Sequence, residues 1–263
     1  APLASAATAG TPRVALVVGN GRYDQVPLRN AVNDAVAVGR ALGGLGFAVD
    51  TLTDASRPEM EAAIARTALA LRGRGGVGLF YFAGHGMQID WRNYLLPVDV
   101  RIEGAEGVLR HGLDVERVLD AFKSAPTRMN IVVLDAFRNH PFAAAGPSGR
   151  GLAQMDAPAG TFLAYATAPG NVAEDGSASS GNGPYAQFLV QELQRGEARI
   201  EDVFKRVRFA VRRHTQGRQV PWESSSLRGD FYFMTPVAGA AQLSRREEEG
   251  AGIRAPRDEG AGR

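Results

Sequence analysis

The chain has 263 residues, 44% hydrophobic and 22% charged, with a net charge of +2. That is enough apolar material for one large α/β domain or two small ones. The small net charge, with no Lys/Arg run interleaved with aromatics, argues against a nucleic-acid partner. The absence of cysteine excludes disulfides, Cys-ligated zinc and a thiol nucleophile in this chain, and no stretch is long and apolar enough to span a bilayer.

Residues 1–11 begin "APLASAATAG" and read as a flexible lead-in. They lack the basic start and apolar run of a signal peptide, so they are either what remains after one is removed or a linker. The compartment is therefore left open for a protein expected to be soluble. "RVALVVGN" (Arg13–Asn20) is a short apolar run ending in a polar turn, the pattern of a buried strand. Residues 30–45 place Ala31, Ala35, Val38 and Leu42 at helical spacing, with Gly43-Gly44 near the stop. "FAVDTLTD" predicts a second strand. "RPEMEAAIARTALALRGRGG" predicts a second helix with Pro58 in its first turn. "VGLFYFAG" (Val77–Gly84) is a third strand, and "NYLLPVD" a short strand or hairpin arm.

"LDVERVLDAFKSA" predicts a helix, "RMNIVVLDA" a fourth strand and "TFLAYATAPG" a fifth. Helices follow at about Pro184–Gln194 and Ile200–Thr215, and "DFYFM" closes the core. Residues 237–263 are Ala, Gly, Arg and Glu without aromatics, the composition of a disordered tail, so the folded unit is about 12–236. Strand-helix alternation with all-apolar strands implies a mainly parallel sheet covered on both faces. Ligands of such sheets meet the carboxyl ends of the strands. Two strand ends carry polar groups there: "FAGHG" after the third strand and "LDAFRN" after the fourth.

The pair "YFAGHGMQ" and "VVLDAFRNHPF" resembles the caspase-like clan of cysteine peptidases, most closely the bacterial caspase-like proteins (orthocaspases, related to metacaspases). Caspases set a catalytic His about 50 residues before a nucleophile loop. His85 lies 52 residues before Phe137, which stands where the resemblance expects the catalytic Cys. "LRNAVNDAVAVGRALGGLGF", "TFLAYATAPGNVAEDG" and "GRQVPWESSSLRGDFYF" extend the likeness over residues 13–234.

The resemblance implies a caspase-like α/β fold, with about six mainly parallel strands, a p20-like part at about 12–145 and a p10-like part at about 158–236. It implies His85 as the proton-handling residue and the N–H groups of Gly86 and Phe137 as oxyanion donors. Asp34 and Asp135, with Ala83, would form an S1 pocket. A carboxylate pair there favours Arg or Lys at P1. The implied partner is a peptide or protein substrate, and the implied state is a monomer. Phe137 has no nucleophilic atom, so hydrolysis should be abolished, and no Ser, Thr or Cys lies between Asn130 and Ala145 to replace it. Three readings stay open: an endopeptidase scaffold whose nucleophile has been replaced, a natural pseudo-peptidase that binds peptides, and a generic α/β ligand-binding domain.

Plainer readings exist for each residue. His85 between two glycines fits a tight turn, Asp135 a turn cap, and Asp34 a solvated helix face. Asp175 in "AEDGSASSGNG" reads as part of a flexible Gly/Ser loop. His140 reads as a loop residue, Arg150 as a residue between the two halves with a processing site as the lesser alternative, and His111 and His214 as surface residues. "VVGNGRYD" lacks G-x-x-x-x-G-K-[ST] and no helix follows at once, so it is not a phosphate loop. No zinc-ligand cluster or EF-hand pattern occurs; no cofactor is expected, and calcium, which some metacaspases bind, has no motif here.

Overall fold

The computed structural model describes residues 11–73, 75–101, 104–125, 127–136, 151–169, 171, 173–176, 181–196 and 198–234. Phe137, Arg138, His140 and Arg150 lie outside the described residues.

The first half alternates strand and helix: β1 (Arg13–Gly19), α1 (Ala31–Gly44), β2 (Ala48–Thr53), α2 (Arg57–Leu71) and β3 (Val77–Gly84). A small antiparallel sheet follows, made of β4 (Gly86–Ile89), β5 (Arg92–Leu95) and β6 (Leu113–Asp114), with α3 (Ala105–His111) inserted before β6. Then come α4 (Val115–Ser124), β7 (Met129–Ala136), β8 (Thr161–Tyr165), α5 (Pro184–Gln194), α6 (Ile200–His214) and β9 (Trp222–Ser225).

The main sheet has six strands in the order β2-β1-β3-β7-β8-β9, parallel except for β9. Its centre is β3 and β7, buried at every position, as continuous apolar strands must be when helices cover both faces. The crossovers β1-α1-β2 and β2-α2-β3 step in opposite directions across the sheet. Right-handed crossovers therefore put α1 and α2 on opposite faces. α5 packs on α1 and α6 on α5, while α4 joins α2.

Local chemistry sets the element ends. Ser56 starts α2 with its N–H donating to Glu59 Oε2 at 2.8 Å, and Pro58 follows in the first turn. β4 and β5 are joined through Asp90 and Trp91, both at positive φ (49° and 65°), the geometry of a two-residue primed hairpin turn. The segment "DFYFM" does close the core, but as buried Phe231 and Phe233 with one isolated bridge, Arg199 to Tyr232, and not as a strand. Arg13 holds it: its guanidinium donates to the Tyr232, Phe233 and Leu45 carbonyls and lies over the Phe47 and Phe231 rings. No helix among the described residues is long and apolar enough to cross a membrane.

The end of β1 tolerates no side chain. A Cβ on Gly19 would sit 2.5 Å from both the Ala31 carbonyl oxygen and Ala35 Cβ, so α1 rests directly on the strand. Gly19→Ala should lower stability by about 2–3 kcal/mol in urea denaturation. Gly43→Ala, in open space near the end of α1, should be neutral or stabilising by about 0.5–1 kcal/mol. Equal midpoints for the two variants would contradict the close helix-strand contact.

Candidate active site

The carboxyl ends of β1, β3 and β7 lie side by side. Gly19 is in register with Ala83, Ala83 with Asp135, and Gly84 with Ala136. His85 leaves the end of β3 and is fully buried. Its backbone N–H donates to the Tyr23 hydroxyl at 3.0 Å, and that hydroxyl donates to the Leu96 carbonyl at 2.8 Å. The Tyr23 ring packs against the imidazole with centroids 4.5 Å apart. His85 Nε2 lies 2.8 Å from the Val26 carbonyl. A carbonyl only accepts, so Nε2 carries the hydrogen and Nδ1 becomes the basic nitrogen of the neutral ring. The loop from Asn20 to Val26 thus fixes both the place and the tautomer of the histidine.

That loop is itself pinned. Asn20 donates its N–H to the Ala83 carbonyl at 2.8 Å, and its side chain bonds Ala55 N–H, Ala55 O and Leu96 O. Asp54, held at φ 52°, accepts from the N–H groups of Gly21 and Arg22. None of Asn20, Tyr23 or Val26 was singled out from sequence. Their only signal in the sequence is a polar turn after a buried strand.

Asp34, expected as either a pocket residue or a solvated helix residue, is fully buried in the first turn of α1. Its Oδ1 accepts from Asn182 Nδ2 at 2.9 Å and from Gly183 N–H at 2.8 Å. Asp135, at 1% exposure, accepts from the Tyr81 hydroxyl at 2.9 Å. Tyr185, two residues past Gly183, lies within the field of Asp135. The start of α5 therefore holds Asp34 through the Gly183 N–H. Ala83 is buried between Gly19 and Asp135. Gly86 opens β4, and a Cβ there would meet Ala136 Cβ at 3.0 Å, so the two strand ends meet in close contact one residue before position 137.

Asp175 departs from the flexible-loop reading. It accepts from the N–H groups of Arg29 (2.8 Å) and Asn30 (3.2 Å), while Asn30 Nδ2 donates to its carbonyl. Gln219 bonds the Ala166 carbonyl and the Glu174 N–H, which steadies the same loop, and Arg218 pairs with Glu174. His111 and His214 are exposed, as expected. Among the described residues no group of three or more His, Asp or Glu is arranged to hold a metal ion.

A parallel α/β sheet, a histidine at the end of β3 and an acidic residue at the end of β7 coincide with a family comparison. The caspase domain of peptidase family C14 matches residues 12–232. The chain belongs to the caspase-domain family. Human mucosa-associated lymphoid tissue lymphoma translocation protein 1 is 31% identical over 131 residues, covering 48% of this chain and 15% of the human protein. Its mouse homolog is 29% identical over 237 residues, covering 87% of this chain and 27% of the mouse protein. The chain thus spans well under a third of these relatives. The caspase-like α/β architecture read from the sequence is the one observed.

One buried group of this caspase domain titrates far from its usual range. Burial, and secondarily the charge of Asp135, push the Tyr185 hydroxyl well up. Its oxygen is buried without a hydrogen-bond partner. The folded state keeps this proton where the unfolded chain, at about pH 10, gives it up, so the stabilisation is complete below pH 10 and is lost as pH rises above it. Tyr185→Phe should flatten the alkaline fall in urea midpoint between pH 9 and 11 and leave pH 7 stability equal or higher. A parallel fall in both proteins would contradict the assignment.

Proposed function

We propose that this caspase domain is the scaffold of a cysteine endopeptidase of orthocaspase type, selective for Arg or Lys at P1, with hydrolysis abolished because Phe137 occupies the nucleophile position. The observation that carries this reading is a pair of buried carboxylates, Asp34 bonded at the start of α5 and Asp135 at the end of β7, with an oriented His85 at the end of β3. A cationic P1 side chain would add charge-assisted bonds to carboxylates that accept up to about four each. In an intact member a Cys thiolate would attack the peptide carbonyl, His85 would deliver a proton to the leaving amine, and the N–H groups of Gly86 and residue 137 would stabilise the oxyanion. Phe137 offers neither thiolate nor proton.

A second reading is a natural pseudo-peptidase that binds peptides. It rests on the absence of a nucleophilic atom at position 137, whereas retention of His85, Asp34 and Asp135 favours a recent or deliberate loss.

Phe137→Cys is the direct test, assayed with fluorogenic peptides ending in Arg or Lys, with and without calcium. The rate should rise roughly a thousandfold or more and fall back when His85→Ala is added. Asp135→Asn should weaken Arg and Lys peptides about tenfold or more without creating preference for Asp. An inactive Phe137→Cys protein, with peptide binding by the unmodified chain, moves the conclusion to the second reading. Hydrolysis by the rigorously purified unmodified chain refutes inactivation.

A further inference from the structure

α5 and α6 form an antiparallel pair whose outer face is not filled. Between them lies a groove of about 1040 Å³, away from the strand ends. Phe188 and Phe209 line it, and Phe209 is 57% exposed. A large ring held in water within a rimmed groove marks a contact surface more often than an isolated exposed residue does. Four arginines surround the rings: Arg195 from the end of α5, and Arg206, Arg212 and Arg213 from α6. Among the described residues lining the groove, a single carboxylate answers them. Glu192, 5% exposed at the groove floor, pairs with Arg195 at 2.7 Å and Arg206 at 3.8 Å. Arg212 and Arg213 are exposed and form no ion pair among the described residues.

We infer that this groove binds a short acidic segment, containing apolar side chains, of a partner protein. Its carboxylates take the bidentate donors of Arg212 and Arg213, and its apolar side chains cover Phe188 and Phe209. From Arg206 to His214 the α6 face runs about 12 Å, the span of roughly four extended residues. That suits a few carboxylates. It is too short for the long run of phosphates on which nucleic-acid affinity depends, and Glu192 places a negative charge inside the track.

The test is fluorescence anisotropy of the full chain with a fluorescein-labelled decapeptide of alternating Glu and Leu. The comparison probes are its Gln/Leu counterpart and a labelled ten-nucleotide oligo-dT. The Glu peptide should bind at least tenfold tighter than the Gln peptide and weaken with salt. Arg212→Glu with Arg213→Glu should cost at least tenfold in affinity. Phe209→Ala should cost severalfold and leave the salt dependence unchanged. All of these positions are exposed, and unchanged urea midpoints would show that the variants fold. Absent or equal binding of the two peptides, or no response to the charge reversal, overturns the inference. Oligo-dT binding as tight as the Glu peptide replaces it with a nucleic-acid site. A dimer in sedimentation that the charge reversal dissolves assigns the groove to a second copy.

Discussion

Two carboxylates are buried at the carboxyl edge of the sheet, and much of the structure serves to keep them there. A buried ionised carboxylate without partners costs several kcal/mol. Asp34 is offset by Asn182 and the Gly183 N–H, Asp135 by Tyr81. The donors to Asp34 come from 148 and 149 residues later in the chain. Asp175 makes the reciprocal link by accepting from the start of α1 across 145 and 146 residues. The two halves of the domain are therefore joined at the strand ends by carboxylate bonds as well as by the β7-β8 ladder. Removing one partner takes a bond from a buried polar group, which costs more than the bond itself contributes.

The long elements were legible because their pattern is redundant. β3 and β7 are eight-residue apolar runs, and α1, α2, α5 and α6 each carry several turns of helical spacing. The misses are short: β4 and β9 have four residues, β6 two and α3 seven. A four-residue strand offers two alternations, too few to stand out from a loop. The β4-β5 turn hid for another reason. Its residues Asp90 and Trp91 adopt positive φ without the glycine that normally announces it. At the strand ends, His85, Asp34 and Asp135 were named as candidates by spacing and resemblance. Their partners were not, because a tyrosine hydroxyl or a carbonyl is recruited by tertiary position and leaves no periodic trace.

The histidine carries this furthest. Val26 supplies only a carbonyl, so any residue type at that position gives the same bond, and the side chain is silent about it. Yet that bond selects the tautomer, and Tyr23 fixes the ring and the backbone beneath it. The support of His85 thus resides in residues 20–26, in a different part of the sequence from the strand end at Ala136. A well-ordered His85 therefore does not by itself argue for turnover.

α5 connects the two faces considered above. Its first turn follows the Gly183 N–H bonded to Asp34, while its last turn brings Glu192 and Arg195 to the outer groove. An eleven-residue helix is about 16 Å long and moves as a unit. A ligand that shifted α5 along its axis would stretch the Asp34 bonds at the other end, where the amide lies only 2.8 Å from the carboxylate. Packing of α5 on both α1 and α6 resists such a shift. A tightly held α5 confines an outer ligand to recruitment, whereas a sliding one would let it act on the Asp34 bonds. The same helix geometry thus makes the stiffness of the α1-α5 contact the quantity that separates docking from control.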